Sequence, residues 1–407
     1  NIGSTLKIIK AIKAQPNADD IRFAYVATVA MTGSRMDPIH WGRCGDPINP
    51  SIHDYYGISK VFAEMAVFES GLKHWVSIRQ TGQFPCNEAT VGQPIIFHQP
   101  VNNVLEWCAS VESGMCMANL CEDWVDESFW RKPYNLSSGR EFRLTCWEFQ
   151  NIMYEPLGFK IQDAMDSRDM ARFNFHGQWY TDADKLDDYL HFRFLDGEKY
   201  WKESQEDTKA LKANPMIGPM MPTAEKMRAD NEAVAHKEMG PKWMFETNQE
   251  DWIKAFFGSR ERHDEIKSFE EGFPMYRPSE KPSYLDHGYD EDKPESELDL
   301  QDMRQAAKFR GGACLSETME RGDLYTPLKW RCAFGHEFEA TPNAVLKGGH
   351  WCPECLKDEW HYGEIAKVNP FYAQVWTPTH GDEDDYHIAM KFSAYRIYQE
   401  LKEELGM

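Results

Sequence analysis

Residues 54–82 read DYYGISKVFAEMAVFESGLKHWVSIRQTG. The first part predicts a helix from Tyr56 to Ser70, and Gly71 stands where a helix stop is expected. The short β-rich stretch from His74 to Arg79 predicts the next strand. A helix that leads directly into a strand is the repeating unit of a parallel α/β sheet, so this stretch favours that class of fold.

The residues before this stretch predict the same alternation. Residues 1–15 carry apolar side chains at helical spacing, and the polar run Pro16–Asp20 breaks that helix. Ile21–Val29 is short and β-rich, which predicts a strand. The order helix, strand, helix, strand therefore predicts an α/β protein built on a parallel sheet.

The composition is that of a soluble globular protein. The chain has 407 residues, of which 42% are hydrophobic and 27% charged, enough for two or three domains. A formal net charge of -21 argues against a general nucleic-acid binder. No apolar run approaches the roughly 20 residues that span a bilayer, and the ten cysteines form no regular framework. We therefore expect a cytoplasmic protein that binds neither nucleic acid nor membrane.

The chain divides by composition into five parts. Residues 1–82 hold the predicted helices and strands, residues 83–195 are mixed and aromatic-rich, and residues 196–300 form an acidic, helical extension. That extension ends in a Pro-rich segment, 277–296, predicted to be an exposed linker or a wrapping segment. Residues 301–370 form a small Cys/His module, and residues 371–407 end in a helix.

Two shorter stretches have competing interpretations. Residues 176–184 mix His, aromatic residues and Asp, which indicates a helix cap with packing, or else the lining of a substrate pocket. The acidic run 381–385 lacks the ligand spacing of a calcium site and is interpreted as a solvated loop.

Tyr56 and Lys60 are four residues apart, which places both side chains on one face of the predicted helix. By spacing alone, a solvent-exposed helix face is the alternative interpretation. The context adds Thr28 at the end of the preceding strand and Arg79–Gly82 at the end of the next. Open α/β sheets bind their ligands at the carboxyl ends of their strands, so this edge is a candidate site.

Four stretches in order resemble the extended short-chain dehydrogenase/reductase family, which includes nucleotide-sugar epimerases, dehydratases and carbonyl reductases. The first resembles the family's Asn-x-x-Gly-Thr helix start, the second its catalytic strand, the third its active-site loop and helix, and the fourth a strand end of its substrate-binding part. They are NIGSTL (1–6), FAYVATVAMTG (23–33), GDPINPS with YGISK (45–51 and 56–60), and YNLSSG (134–139). The resemblance covers about residues 1 to 160.

The resemblance implies a fold and a chemistry. Residues 1–82 would be the C-terminal part of a doubly wound, NAD(P)-binding Rossmann domain, and residues 83–195 the substrate-binding part. Tyr56 would be the general acid/base, Lys60 would favour its phenolate and hold the nicotinamide ribose, and Thr28 would orient the reacting oxygen. Tyr55 is the rival tyrosine, but only Tyr56 has Lys four residues on. The alternative for Thr28 is a strand-end hydroxyl satisfied by backbone.

Further residues are assigned by position in the same resemblance. The cofactor site would also include Gln80, Thr81 and Gly82, and the substrate site Asn102 and Asn103. The cofactor would be NAD or NADP, and the partner a small-molecule substrate. The family also implies a homodimer, with a four-helix contact made by the helices around Ile2–Ile12 and Val61–Phe68.

Two departures from the family pattern shape the functional prediction. The chain has no Gly-x-Gly-x-x-Gly, so we expect the phosphate-binding half from sequence before Asn1 or from another chain. Residues 79–84, RQTGQF, lack the Arg-Pro and Tyr-Gly-Pro of nucleotide-sugar members. This favours an oxidoreductase that interconverts a carbonyl and an alcohol on a small organic substrate. The alternatives are an epimerase or dehydratase with transient oxidation, and a non-catalytic scaffold.

Cys332 and His336, followed by Cys352 and Cys355, have the spacing of a zinc site. Two close pairs of such ligands suit a tetrahedral ion, and four protein ligands indicate a structural role. Cys314 or His350 are alternative ligands, and redox use of the Cys352–Cys355 pair is an alternative role. The module resembles a zinc ribbon found in diverse bacterial proteins.

Overall fold

The computed structural model describes residues 1–85, 92–381 and 386–407. The acidic run predicted to be a loop therefore lies outside the described residues, except for Gly381. Within the described ranges, no helix is both long enough and apolar enough to cross a membrane.

The strands are short except in the central sheet. In chain order they are β1 (Phe23–Thr28), β2 (Trp41–Gly42), β3 (Trp75–Gln80), β4 (Gln83–Phe84), β5 (Val104–Glu106), β6 (Cys108–Ala109), β7 (Lys132–Leu136), β8 (Arg143–Thr145), β9 (Trp179–Tyr180), β10 (Ala313–Cys314), β11 (Leu328–Arg331), β12 (Glu337–Ala340), β13 (Glu359–Trp360) and β14 (Ile388–Ala389).

The helices occupy both ends of the chain and most of the acidic extension. In chain order they are α1 (Ile2–Lys13), α2 (Tyr55–Phe68), α3 (Ser110–Asn119), α4 (Cys146–Tyr154), α5 (Ile161–Ala164), α6 (Asp184–Leu190), α7 (Gly197–Ala213), α8 (Ala224–Ala235), α9 (Pro241–Glu246), α10 (Glu250–Phe257), α11 (Arg260–Asp264), α12 (Leu300–Phe309), α13 (Pro342–Leu346), α14 (Tyr362–Val368), α15 (Pro370–His380) and α16 (Ala394–Leu405).

The central sheet has three parallel strands in the order β1-β3-β7. Its register pairs Val26 with Ile78 and Ile78 with Tyr134. The two crossovers, through α2 and through residues 81–131, keep all three strands in one direction. The predicted helix–strand–helix–strand order and the parallel sheet are confirmed.

Helices cover both faces of this sheet. On one face, Tyr25 and Trp75 pack into a core with α1, α2 and α16. On the other face, Val76 and Ile78 pack against residues of α3 and α6. Alternate strand residues point to opposite faces, so each strand contributes to both cores. The result is the three-layer α/β/α arrangement expected of a doubly wound sheet.

The C-terminal helix α16 covers the apolar faces of α1 and α2. Phe62 stacks on Tyr395 and Tyr398, with ring centroids 5.3 and 5.9 Å apart. Lys10 Nζ donates to the carbonyl of Leu405 at 2.6 Å. The apolar residues predicted to form the four-helix contact of a homodimer are therefore buried against the chain's own C-terminal helix. A homodimer stays a prediction, and this face is not free to form it.

The Pro-rich segment 277–296 wraps around the first part of the chain. His40 Nε2 and Trp41 Nε1 donate to the carbonyl of Ser279, at 2.6 and 3.2 Å. His287 is buried, with Nε2 2.9 Å from Asp46 and Nδ1 2.8 Å from Glu291. Burial alone would lower the pKa of His287, but the two carboxylates raise it above its usual value. The sequence allowed an exposed linker or a wrapping segment here, and in the structure residues 277–296 wrap around the first part of the chain.

A buried ion network joins α2, β3 and the Cys/His module. The Glu64 carboxylate accepts from Arg79 Nη2 at 2.7 Å and Nε at 3.0 Å, from Ser77 Oγ at 2.5 Å and from His350 Nε2 at 2.8 Å. Arg79 also donates to the carbonyl of Gly348 at 2.7 Å. Burial would raise the pKa of Glu64, but the charge of Arg79 and the His350 bond outweigh it, so the pKa lies below its usual range. The carboxylate is therefore ionised at neutral pH.

We expect Arg79→Met to lower the free energy of unfolding by about 3–5 kcal/mol, because it leaves the Glu64 charge buried without its cation. Arg396→Met is the matched control, since Arg396 pairs with Asp358 at 2.5 Å on the surface, where the two side chains are 57% and 49% exposed. An exposed pair contributes about 0–1 kcal/mol. Urea unfolding of the two variants measures the difference, and equal losses would contradict a buried network that holds the sheet to the module.

Candidate functional site

Tyr56 lies in the first turn of α2, beside the carboxyl end of β1. The helix begins there because Asp54 caps it, with Oδ1 accepting from the Gly57 N–H at 2.8 Å. The Tyr56 side chain is 53% exposed. Lys60 follows one turn later, with Nζ 5.8 Å from the centroid of the Tyr56 ring. The structure thus brings the predicted tyrosine and lysine together on one helix face.

Lys60 also reaches the edge of the central sheet. Its Nζ donates to the carbonyl of Val26 at 2.7 Å and lies 5.1 Å from the centroid of the Tyr25 ring. Partial burial lowers the pKa of Lys60, and the nearby charge of Glu64 opposes that shift. The ammonium is therefore partly desolvated and has an acceptor within the chain.

Thr28, the last residue of β1, caps the turn that follows. Its Oγ1 accepts from the N–H of Ala30 at 3.2 Å, and a 3-10 turn over Val29–Met31 begins there. This is the backbone-satisfied hydroxyl that was the alternative from sequence. The hydroxyl proton is still a potential donor, because a threonine hydroxyl donates once and accepts twice.

The structure separates the two neighbouring tyrosines. The hydroxyl of Tyr55 accepts from the N–H of Lys391 at 2.6 Å, and its ring packs on Phe392 with centroids 4.3 Å apart. Tyr55 thus fastens α2 to the C-terminal region. Tyr56 is instead exposed, and the choice of Tyr56 over Tyr55 from the lysine spacing stays a prediction.

The predicted cofactor residues after β3 contact the substrate-binding part. Gln80 Nε2 donates to Ser113 Oγ on α3 at 3.1 Å, and Thr81 is buried. A Cβ at Gly82 would lie 2.6 Å from Leu105 and 2.8 Å from Trp107. Gly82 is therefore required by close packing, and the Gln80 amide already has a partner.

The predicted substrate residues hold other segments in place. Asn102 Nδ2 donates to the carbonyl of Pro274 at 2.8 Å, and its Oδ1 accepts from the N–H of Tyr276 at 3.2 Å. Asn103 Nδ2 donates to the carbonyl of His176 at 3.4 Å, and its Oδ1 is buried without a partner among the described residues. Asn102 thus anchors the residues just before the wrapping segment, while Asn103 keeps one acceptor without a partner among the described residues.

Asp182 and Asn135 form a polar contact at the same edge of the sheet that sequence reasoning did not assign to the site. Asp182 accepts from Asn135 Nδ2 at 2.9 Å and from the N–H of Cys44 at 2.8 Å. Asn135 Oδ1 and Arg79 Nη1 are buried without partners among the described residues. The signal was present, because Asn135 lies in the quoted YNLSSG stretch and Asp182 in the 176–184 stretch.

The four predicted metal ligands come together. His336 Nδ1 lies 3.5 Å from Cys332 Sγ and 3.7 Å from the Sγ atoms of both Cys352 and Cys355, and Cys355 Sγ lies 3.8 Å from Cys332 Sγ. Two sulfur atoms each about 2.3 Å from a tetrahedral zinc are about 3.8 Å apart, and a sulfur and a nitrogen about 3.5 Å. The spacing of the donor atoms fits a tetrahedral ion.

Two tight turns produce this geometry. The β11–β12 turn presents Cys332 and His336 and includes Gly335 at φ +84°, a conformation that favours glycine. The turn over Pro353–Leu356 presents the other two cysteines. Hydrogen bonds from Cys352 and Cys355 lower the pKa of Cys332, and the Cys332 contact raises that of Cys352. A bound cation would stabilise all three thiolates.

The two alternative ligands have other roles. Cys314 lies on β10 in a core cluster with Met303 and Trp330. His350 donates to Glu64 in the buried ion network. Neither belongs to the four-residue cluster among the described residues.

Comparison with protein-family models found no match, and comparison with curated proteins found none. Solved structures with partial similarity include the dTDP-glucose 4,6-dehydratase of Bacillus anthracis in complex with NAD, 15% identical, with TM-score 0.37, covering 53% of this chain and 69% of that chain. The UDP-glucuronic acid 4-epimerase of Bacillus cereus, in complex with UDP-glucuronic acid and NAD, is 13% identical, with TM-score 0.37 and coverage of 52% and 67%.

The UDP-N-acetylglucosamine 4-epimerase of Bacillus cereus is 15% identical, with TM-score 0.34, covering 52% of this chain and 70% of that chain. Identities and TM-scores this low do not assign an activity to this chain. The functional argument therefore rests on the chain's own residues.

Cys352→Ser is expected to lower the bound zinc from about one ion per chain to a small fraction of that and to lower Tm, because a structural zinc contributes folding free energy. Cys314→Ser is the matched control, since it removes a buried thiol of the same module outside the cluster. Elemental analysis of purified protein measures the zinc. Full zinc content in Cys352→Ser, or its loss in Cys314→Ser, would contradict the ligand set.

His350→Gln tests the remaining alternative ligand. We expect this variant to keep its zinc and to unfold at a lower urea concentration, because it disturbs the bond to the buried Glu64. Loss of zinc in this variant would make His350 a ligand.

Proposed function

We propose that this chain carries the proton-transfer part of an NAD(P)-dependent oxidoreductase of the extended short-chain dehydrogenase type. The reaction interconverts a carbonyl and an alcohol on a small organic substrate. One observation carries the proposal: an exposed phenol, Tyr56, has an ammonium 5.8 Å from its ring at the carboxyl end of a parallel strand that ends in Thr28.

In this proposal each of the three side chains has one role. Tyr56 gives a proton to the carbonyl oxygen in reduction and takes it back from the alcohol in oxidation. Lys60 favours the phenolate form through its positive charge. Thr28 donates its hydroxyl proton in a hydrogen bond to the same substrate oxygen and so orients it. The bound NAD(P) supplies or accepts the hydride.

The described residues fit one end of that cofactor. Lys60 is the candidate ligand of the nicotinamide ribose, since its ammonium has three N–H donors and the carbonyl of Val26 accepts one of them. The pyrophosphate needs backbone N–H groups at a Gly-rich turn, and this sequence has no such motif. We therefore propose that further sequence, or another chain, supplies the phosphate-binding half.

The open edge of β1 supports this part of the proposal. Among the described residues, β1 pairs only with β3. In a parallel pair alternate residues bond to the neighbouring strand, and Phe23 donates to the carbonyl of His74, so Val26 directs its backbone groups outward. An additional parallel strand therefore has an edge on which to pair.

We also propose that Cys332, His336, Cys352 and Cys355 hold a structural zinc. The donor spacing of 3.5 to 3.8 Å supports it, and four protein ligands leave no position for a substrate. The ion would fix the two turns that carry the ligands, next to the His350–Glu64 contact.

A non-catalytic scaffold is the second candidate function. It is favoured by the bonds that Thr28 and Lys60 already make to backbone groups of their own chain. An epimerase or dehydratase would use the same three residues with a cofactor that stays bound. A protein that keeps its nicotinamide bound, isomerises a substrate and does not reduce free carbonyls would favour an epimerase or dehydratase.

Tyr56→Phe is expected to reduce turnover by about 10²–10⁴-fold, because it removes the group that transfers the proton. Its stability should be unchanged, since the side chain is 53% exposed. Nicotinamide absorbance with a panel of aldehydes and ketones measures the activity, using protein that includes the genomic sequence upstream of Asn1.

Tyr55→Phe is the matched control and should behave in the opposite way. It removes the hydroxyl that accepts from Lys391, so it should lower stability by about 1 kcal/mol and leave turnover within a few-fold. Full activity in Tyr56→Phe would exclude the catalytic role. A wild-type protein that is inactive with every substrate and binds no nicotinamide would favour the scaffold.

A further inference from the structure

Glu359, His361 and His387 form a second cluster of potential metal ligands, separate from the Cys/His cluster. One donor atom of each residue lies within 4.8 Å of those of the other two. His361 Nδ1 lies 3.2 Å from one oxygen of Glu359, and His387 Nδ1 lies 3.2 Å from the other. We propose that these three side chains bind an exchangeable divalent cation of the zinc type.

The β13–β14 pair presents the three side chains on one face. Trp360 pairs with Ile388, and both point into the core with at most 1% exposure. Strand residues alternate in direction, so Glu359 and His361 point to the opposite face. His361 directly follows β13 and His387 directly precedes β14, which sets them opposite each other in this antiparallel register.

Two imidazoles and one carboxylate are a ligand set that metal enzymes use. In catalytic zinc sites, two His and one Glu leave a coordination position for water or substrate. The same set in a facial arrangement binds other divalent metals. The Cys332 cluster differs in the number and the type of its ligands. It has four protein ligands, which leave no open coordination position, and three of them are sulfur.

Solvent reaches this second cluster. The side chains of Glu359 and His387 are 41% and 45% exposed, whereas that of His361 is 14% exposed. Ligand atoms around a zinc ion are about 3.3 Å apart, so the most distant donors must approach by rotation of the two exposed side chains. Exposure on this side also leaves room for water or a small oxygen ligand on the ion.

Glu364 gives His387 the outer partner that metal-bound histidines have. Its carboxylate lies 3.1 Å from His387 Nε2, while Nδ1 faces Glu359. With Nδ1 as the ligand, the Nε2–H donates to Glu364, which fixes the tautomer and the ring orientation. A surface ion pair alone does not require this arrangement, in which His387 lies between Glu359 and Glu364 and His361 also contacts Glu359.

The second cluster lies next to the proposed zinc site and shares no residue with the Tyr56–Lys60 site. The ring of Phe334 lies 6.4 Å from that of His336 and 5.6 Å from that of His361, so it separates the two groups of ligands. The inference does not depend on the proposed oxidoreductase activity.

The test is cobalt binding to the purified full chain. Brief EDTA treatment removes weakly held ions while the closed cysteine site keeps its zinc, which elemental analysis verifies. Calorimetric titration with Co²⁺ should then show one further equivalent per chain. The visible spectrum of the bound Co²⁺ should show the weak bands of nitrogen and oxygen ligation, without the intense charge-transfer bands of thiolates.

His387→Gln and Glu359→Gln should each weaken this binding by at least about 100-fold and leave the zinc content unchanged. Glu364→Gln should weaken it by about 10- to 100-fold, the usual effect of removing an outer partner. Because His387 is exposed, the His387→Gln variant should keep the wild-type Tm without cobalt. If its Tm falls, the cobalt affinity of Glu364→Gln is the result that tests the proposal.

His236→Gln is the matched control. His236 also lies between two carboxylates, 3.0 Å from Glu246 and 3.3 Å from Glu232. Among the described residues, no second histidine joins His236 and these carboxylates in a group of potential metal ligands. This variant should bind cobalt like the wild type. The proposal is overturned if the wild type binds no second equivalent, if His387→Gln and Glu364→Gln bind it as tightly, or if His236→Gln abolishes it.

Discussion

The buried pair of Glu64 and Arg79 is the interaction on which the rest of this structure depends. Two charges without solvent are unfavourable unless their geometry is good and additional hydrogen bonds replace the lost hydration. Ser77 supplies one hydrogen-bond partner from within the sheet, whereas His350 and the carbonyl of Gly348 come from the Cys/His module. The sheet and the module therefore share one network, in which Arg79 Nη1 is left without a partner among the described residues. Compositional boundaries placed the module at 301–370, and its Ala344 lies in the same core cluster as residues of α1 and α2.

Much of the secondary structure in the first third of the chain could be predicted, because the sequence signals for it are local. The helix over 1–15, the strand near Thr28 and the helix that begins at Tyr55 each follow from spacing and stop residues within a few positions. The pairing of Tyr56 with Lys60 is a property of one helical turn. The four cysteine and histidine ligands were predictable for a related reason, since each pair is set by its own tight turn.

The remaining features depend on distant contacts. His350 was an alternative zinc ligand from its position in sequence, yet its partner Glu64 is 286 residues away. Asn102 was assigned to substrate, yet both ends of its amide bind backbone 172 and 174 residues away. Polar side chains accept many partners, so only the tertiary fold decides which they meet. The Glu359–His387 contact spans 28 residues and depends on strands of two residues, which are too short to show a periodic pattern.

The bond from Lys60 to Val26 gives this lysine a second property. An unpaired strand edge is a template for association with other chains, and natural proteins protect such edges with charged side chains, lysine above all. Lys60 places its ammonium on an outward carbonyl of β1, so an additional strand that pairs on this edge has to displace it. Kinetics of a Lys60 variant would therefore combine an effect on this strand edge with an effect on proton transfer. Tyr56 takes no part in the hydrogen bond between Lys60 and Val26, so a Tyr56 variant reports on proton transfer without changing that bond.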